Sequence, residues 1–167
     1  MRFKYDALCW VIMAKDTARW FVPVICCRKA GPALAGGEVA GWSIGSNRSF
    51  LRRPGWGEFR RVVADLREHC PAAKPVVVRT AWLAPEILGE CIRRRHRFVI
   101  RLNNRMDQAQ AIETTLHEWA HALAWNYSLD RLASEPGVTP EAFDRASHDE
   151  AWGCAYSRVW RVYSGAA

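Results

Sequence analysis

Lysine is nearly absent from this chain of 167 residues: four lysines stand beside twenty arginines, and the formal net charge is +7. That bias fits a GC-rich coding sequence, and equally a surface that holds nucleic-acid phosphates or acidic partners. No Cys-x-x-Cys pair occurs among Cys9, Cys26, Cys27, Cys70, Cys91 and Cys154. This argues against a zinc ribbon, a redox dithiol or a secreted disulfide framework, and buried thiols in a cytoplasmic protein are expected instead. Long apolar runs are missing too. The run Ala7 to Ala14 falls well short of the ~20 residues that span a bilayer. Its flanks, Asp6, Lys15 and Asp16, suit a signal peptide poorly. No internal repeat or low-complexity segment is visible. With 50% hydrophobic and 25% charged residues, the composition is globular, and the length suits one domain with a real core.

One stretch carries chemistry: His117-Glu118-Trp119-Ala120-His121. On an α-helix, residues four apart stand one turn above each other on the same face. The two imidazoles can therefore share a metal ion at the ~2.0–2.1 Å that zinc prefers. Glu118, rotated by about 100°, is placed to act on a water at that metal without being a ligand. Asp107 followed by Gln110 resembles a capping box and starts the helix near Gln108. Ile112, Leu116, Ala120, Leu123 and Tyr127 recur at helical spacing and predict a buried stripe beside the histidines. The plainer alternative is an amphipathic helix with two satisfied histidines.

Around this helix the pattern is mixed α and β. Trp20 to Cys27 reads as a possible strand, and the Gly- and Ala-rich stretch from Gly31 to Ser46 as loop. Residues 1–47 are thus an N-terminal extension of unclear structure, and 48–167 the main domain. Phe59, Val62, Val63 and Leu66 predict a helix from about Gly57 to Cys70, and Val76-Val77-Val78 a buried strand. Cys91 to Leu102 reads as a hairpin around the basic Arg93–Arg97 turn. The edge of its second strand is a candidate to pair with an extended substrate backbone. Arg93, Arg94, Arg95, Arg97, Arg101 and Arg105 form the densest basic group, and Arg52, Arg53, Arg60, Arg61 and Arg67 a second.

A catalytic zinc needs a third protein ligand. Ser147-His148-Asp149-Glu150 opens a final helix whose apolar face is Trp152, Ala155, Tyr156, Val159, Trp160 and Tyr163. Ser147 as N-cap and Glu150 at the third helical position fit a capping box, which leaves His148 free to point at a metal. Glu150 is the alternative ligand, and a plain surface role for His148 is the third possibility.

The combination of Thr115-Leu116-His117-Glu118-Trp119-Ala120-His121-Ala122-Leu123 with His148-Asp149-Glu150-Ala151-Trp152 resembles the SprT-like zinc metallopeptidases. In that family the helical HExxH is followed by a third histidine with a tryptophan four residues later. Gly89-Glu90-Cys91-Ile92 and Arg97 to Asn103 resemble the family's sheet strands, so the likeness covers roughly residues 57–163. It implies an α+β, zincin-like compact domain with a small β-sheet, an HExxH active-site helix and a closing C-terminal helix. It also implies His117, His121 and His148 as Zn2+ ligands, Glu118 as catalytic base, and protein substrates, including proteins associated with DNA. The segment between His121 and His148 is longer than the family's short connection. Glu150-Ala151 followed by Ala155 resembles instead the acidic-ligand segment of ImmA/IrrE-like peptidases, which cleave repressors.

The expectation is therefore a zinc-dependent metalloprotease in which Glu118 deprotonates a water activated by zinc and Tyr127, Tyr156 or an arginine stabilises the oxyanion. Its rivals are a non-catalytic arginine-rich nucleic-acid-binding domain and a structural zinc site closed by Asp149.

Overall fold

A computed structural model describes residues 24–28 and 54–166. Most of the N-terminal extension, with Cys9, the run Ala7 to Ala14, Gly31 to Ser46, Arg52 and Arg53, lies outside them. The described chain forms β1 (Val24–Arg28), α1 (Gly57–His69), β2 (Val76–Ala81), β3 (Ile87–Arg93), β4 (Phe98–Asn103), α2 (Gln108–Ala124), α3 (Tyr127–Ser134), α4 (Pro140–Ser147) and α5 (Glu150–Ser164). This is a mixed α+β fold with a small sheet and a C-terminal helix. No helix among the described residues is long and apolar enough to cross a membrane.

The sheet has the order β1-β3-β4-β2. β3 and β4 form the expected antiparallel hairpin, with Cys91 opposite Ile100 and Gly89 opposite Leu102. β2 runs parallel to β4, Val76 opposite Phe98. β1, from within the N-terminal extension, pairs antiparallel with β3. The second hairpin strand therefore has no open edge: β4 is bonded on both sides, so the substrate-pairing role expected of it is excluded by the ladder itself. Phe98, Ile100 and Leu102 alternate toward one face, as the period of two requires, and there they join Val76, Val78 and Cys91 in the main core.

Helix α2 lies on that face with α1 beside it, and α5 packs on α2 and α1. α1 buries Phe59, Val62, Val63 and Leu66, and its end is marked by Cys70 and Pro71. Trp119 of α2 is almost fully buried, and its indole N–H donates to the Cys70 carbonyl at 2.8 Å. The bond satisfies a buried donor whose loss would cost about 1–3 kcal/mol. Asn103 is a second such fixture. Its buried amide donates to the carbonyls of Ala84 and Ile87, at 3.0 and 2.8 Å, and shapes the turn that leads into β3.

The α2 stripe departs from expectation at one place. Ile112, Leu116 and Ala120 are buried and Leu123 packs on the core, but Tyr127 is 80% exposed and belongs to α3. The helix ends at Ala124 because Trp125 turns to extended ψ, and Asn126 caps a new helix by accepting from the Leu129 N–H. The final helix also starts later than expected. Ser147 is the last residue of α4, and Asp149 is the N-cap of α5, accepting from the Trp152 N–H at 3.0 Å. Glu150 is thus at the first helical position rather than the third.

Gly89 decides how closely α2 lies on the sheet. A Cβ there would stand 2.5 Å from Thr114 Cγ2 and 3.4 Å from Glu118 Cγ. Thr114 is β-branched and buried, so it has little rotamer freedom with which to yield. Gly89→Ala is expected to push α2 outward and cost about 1–3 kcal/mol, as overpacking does. A urea titration beside Gly153→Ala, where a Cβ meets nothing within 4 Å, checks it. Equal midpoints for the two variants would contradict the close packing.

Candidate metal centre

His117 and His121 project from the middle of α2 toward α5, one turn apart, and both are buried. Their Nε2 atoms lie 3.0 Å from each other. His148 enters from the junction of α4 and α5, where it is the C-cap of α4, and its Nε2 lies 3.2 Å from His117 Nε2. The sequence alone placed His148 in the first turn of the last helix. The structure instead puts it at the end of a helix before that one. The three side chains nevertheless converge, with all candidate ligand atoms within 4.8 Å of one another. Two nitrogens bound tetrahedrally to one ion at ~2.0–2.1 Å stand about 3.4 Å apart, close to the spacings found.

Tautomers make the convergence informative. His148 Nδ1 is 2.9 Å from the Asp144 carbonyl and 3.3 Å from its carboxylate, so Nδ1–H donates there and Nε2 faces the other two rings. His121 likewise donates to the Ser147 backbone and turns Nε2 to His117. Three ring nitrogens thus face one another at short range, an arrangement that suits a cation between them. The environment keeps the rings in this state. Burial, helped by His148 nearby, pushes the His117 pKa down to about 3. Burial, with His117 and His148 as neighbours, also holds His121 well below the ordinary imidazole range. Neutral imidazole is the ligand form, and three of them suit Zn, Cu, Fe or Ni.

An aromatic wall closes one side. The Trp152 ring lies 4.7, 4.9 and 5.6 Å from the rings of His148, His117 and His121. Tyr156 stacks on Trp152 at 4.9 Å, with its ring 6.1 Å from that of His117. Of the oxyanion candidates, Tyr156 is thus near the cluster. Tyr127 lies on exposed α3.

Glu118 is fully buried where α2 packs on β3, next to Gly89. The buried Cys91 thiol has its pKa pushed well up by burial, and further by Glu118 and Glu90 beside it. Glu90 itself is paired across the hairpin with Arg101 at 2.7 Å. Glu150 is exposed and is not in the histidine group, and neither is Asp149, whose carboxylate caps α5. Asp144 escaped sequence reading, although a signal exists. Thr139-Pro140 is a helix-start pattern, and it places Asp144 four residues before His148, one turn away.

Comparisons with protein-family models, curated proteins and solved structures give no match for this chain.

Proposed function

We propose that the protein is a zinc-dependent peptidase of SprT-like type, with His117, His121 and His148 as ligands and Glu118 as general base. The observation that carries this reading is the meeting of three imidazole nitrogens, from His117, His121 and His148, with a buried carboxylate next to His117 in sequence. A zinc ion held there supplies Lewis acidity, lowering the pKa of water from 15.7 toward ~7 and polarising a peptide carbonyl. Glu118 takes the proton of the attacking water on its carboxylate and delivers it to the leaving amine. Trp152 and the stacked Tyr156 keep bulk water from the imidazoles, and Asp144 holds His148 with Nε2 toward the ion. The exposed Arg94, Arg95 and Arg97 of the β3–β4 turn favour substrates associated with nucleic acid.

The test is zinc content beside two variants. One zinc per chain is expected in the wild type and in Glu150→Ala, with metal lost from His148→Ala. Loss with Glu150 instead would move the reading to the repressor-cleaving type. A wild type without zinc after reconstitution would leave the arginine-rich binding domain as the better account.

A further inference from the structure

The third histidine is delivered by a part of the fold with its own small core. α3 and α4 pack on each other through Leu129 and Phe143, with Leu132, Ala133, Val138 and Ala146 around them. Among the described residues, this cluster shares a side chain with the main core only at Trp125. The Trp125 ring stands 5.9 Å from Phe98 of β4 and 6.3 Å from Phe143 of α4, so it is the joint between the two.

Asp130 of α3 secures that joint. One carboxylate oxygen accepts from the Trp125 indole N–H at 2.8 Å, and the other is 2.8 Å from Arg93 Nη2 at the end of β3. Both oxygens are therefore engaged, one on the hinge residue and one on the sheet. The charge-assisted pair is half-buried, so water screens it less than an exposed pair. Beyond this clamp the chain runs through α4 to Asp144 and His148 with no further ion pair to the sheet among the described residues.

We propose that Asp130 is the positioning residue for the third metal ligand: by clamping the α3–α4 hairpin onto Arg93 and Trp125, it holds His148 within reach of His117 and His121. This rests on the metal-centre reading above. Two ligands on one rigid helix are placed by α2 alone, and a pair of imidazoles holds zinc weakly. The gain from the third depends on how often the hairpin is docked, since affinity falls by the fraction of chains that hold the competent arrangement. Loosening the clamp thus weakens the metal site from a distance, first through His148 and to a lesser degree through the Ser147 backbone that orients His121.

The experiment is a zinc titration against a competing chelator on the full chain, run as a double-mutant cycle. Asp130→Ala is expected to lower zinc affinity about 10–100-fold, the range seen when the groups supporting metal ligands are removed. Asp130→Asn, which keeps an acceptor for Trp125, should lose less, and Glu141→Gln on exposed α4 should match wild type. In a His148→Ala background, Asp130→Ala should lose far less, only what the Ser147 contact to His121 contributes. The cobalt(II) form of Asp130→Ala should shift its visible spectrum toward that of His148→Ala. An equal loss in both backgrounds would mean that Asp130 acts on the fold at large and would overturn the proposal, as would undiminished affinity. If Asp130→Ala does not fold, Arg93→Gln, which removes the other half of the clamp, takes its place in the cycle. Zinc binding absent from the wild type itself would instead remove the metal centre, a result distinct from a tight wild-type site indifferent to Asp130.

Discussion

Glu118→Gln should bind zinc as the wild type does and lose turnover by about 10²–10⁴-fold, the usual contribution of a general base. The glutamine has nearly the same shape, so the fully buried position remains filled and α2 keeps its place against Gly89. What disappears is the ability to accept a proton. The proposed ligand nitrogens belong to His117, His121 and His148, so the metal count should not move. Zinc per chain, the melting temperature and single-turnover cleavage of a protein substrate, measured on one preparation, separate the alternatives. Full activity with zinc bound would sink the proposed role of Glu118. Lost zinc would make it a structural support for α2.

The second large effect is acid sensitivity of the metal-free protein. His117 has a folded pKa near 3 against an ordinary value of 6.5, because it is buried. Below 6.5 the unfolded chain takes up a proton that the folded protein refuses. The stability associated with His117 is therefore complete above pH 6.5 and is lost progressively as the pH falls toward 3. Each unit of difference is worth about 1.4 kcal/mol, so several kcal/mol are at stake, and His121 adds to them in the same direction. Set against the 5–15 kcal/mol that typically holds a domain folded, this predicts unfolding in mild acid. Thermal melts of chelator-treated protein between pH 8 and pH 4 check it. A melting temperature that stays level below pH 6.5 would contradict neutral buried imidazoles. The His117→Gln, His121→Gln double variant should flatten most of the slope.

Much of the fold was legible because its elements are strongly periodic. Phe59, Val62, Val63 and Leu66 marked α1, and Phe98, Ile100 and Leu102 marked the core face of β4, which is more buried than the half-buried strand expected because Val99 and Asn103 are covered too. Asp107 marked the start of α2 and does cap it, accepting from the Gln110 N–H at 2.8 Å. The i, i+4 pair of histidines needs only helix geometry, so its adjacency could be read directly. The misreadings arose where local signals compete. Ser147, Asp149 and Thr139 are all cap residues, and only packing decides that Ser147 ends α4 while Asp149 begins α5. Tyr127 kept the helical spacing of α2, but an apolar residue in register does not hold a helix together once Asn126 offers a new cap. Sheet order is a long-range property that alternation does not encode, which is why β4 was credited with an open edge. Asp144 and Asp130 act through partners brought near only by the tertiary fold.

The position of β4 has a consequence for how the molecule comes together. Its antiparallel partner β3 lies just across the turn Arg94–Arg97, whereas its parallel partner β2 precedes β3 in the chain. Short-range hairpins close in ~1–10 μs, and pairings across longer loops wait on the entropy of bringing the ends together. Assembly is therefore expected to run outward from the β3–β4 hairpin, with α2 following directly and carrying two histidines in a fixed pair. His148 lies 31 positions beyond His117 and is expected to arrive only when the second helical hairpin has closed on Trp125. The proposed centre would then mature from two donors to three, its last donor reporting that folding is finished.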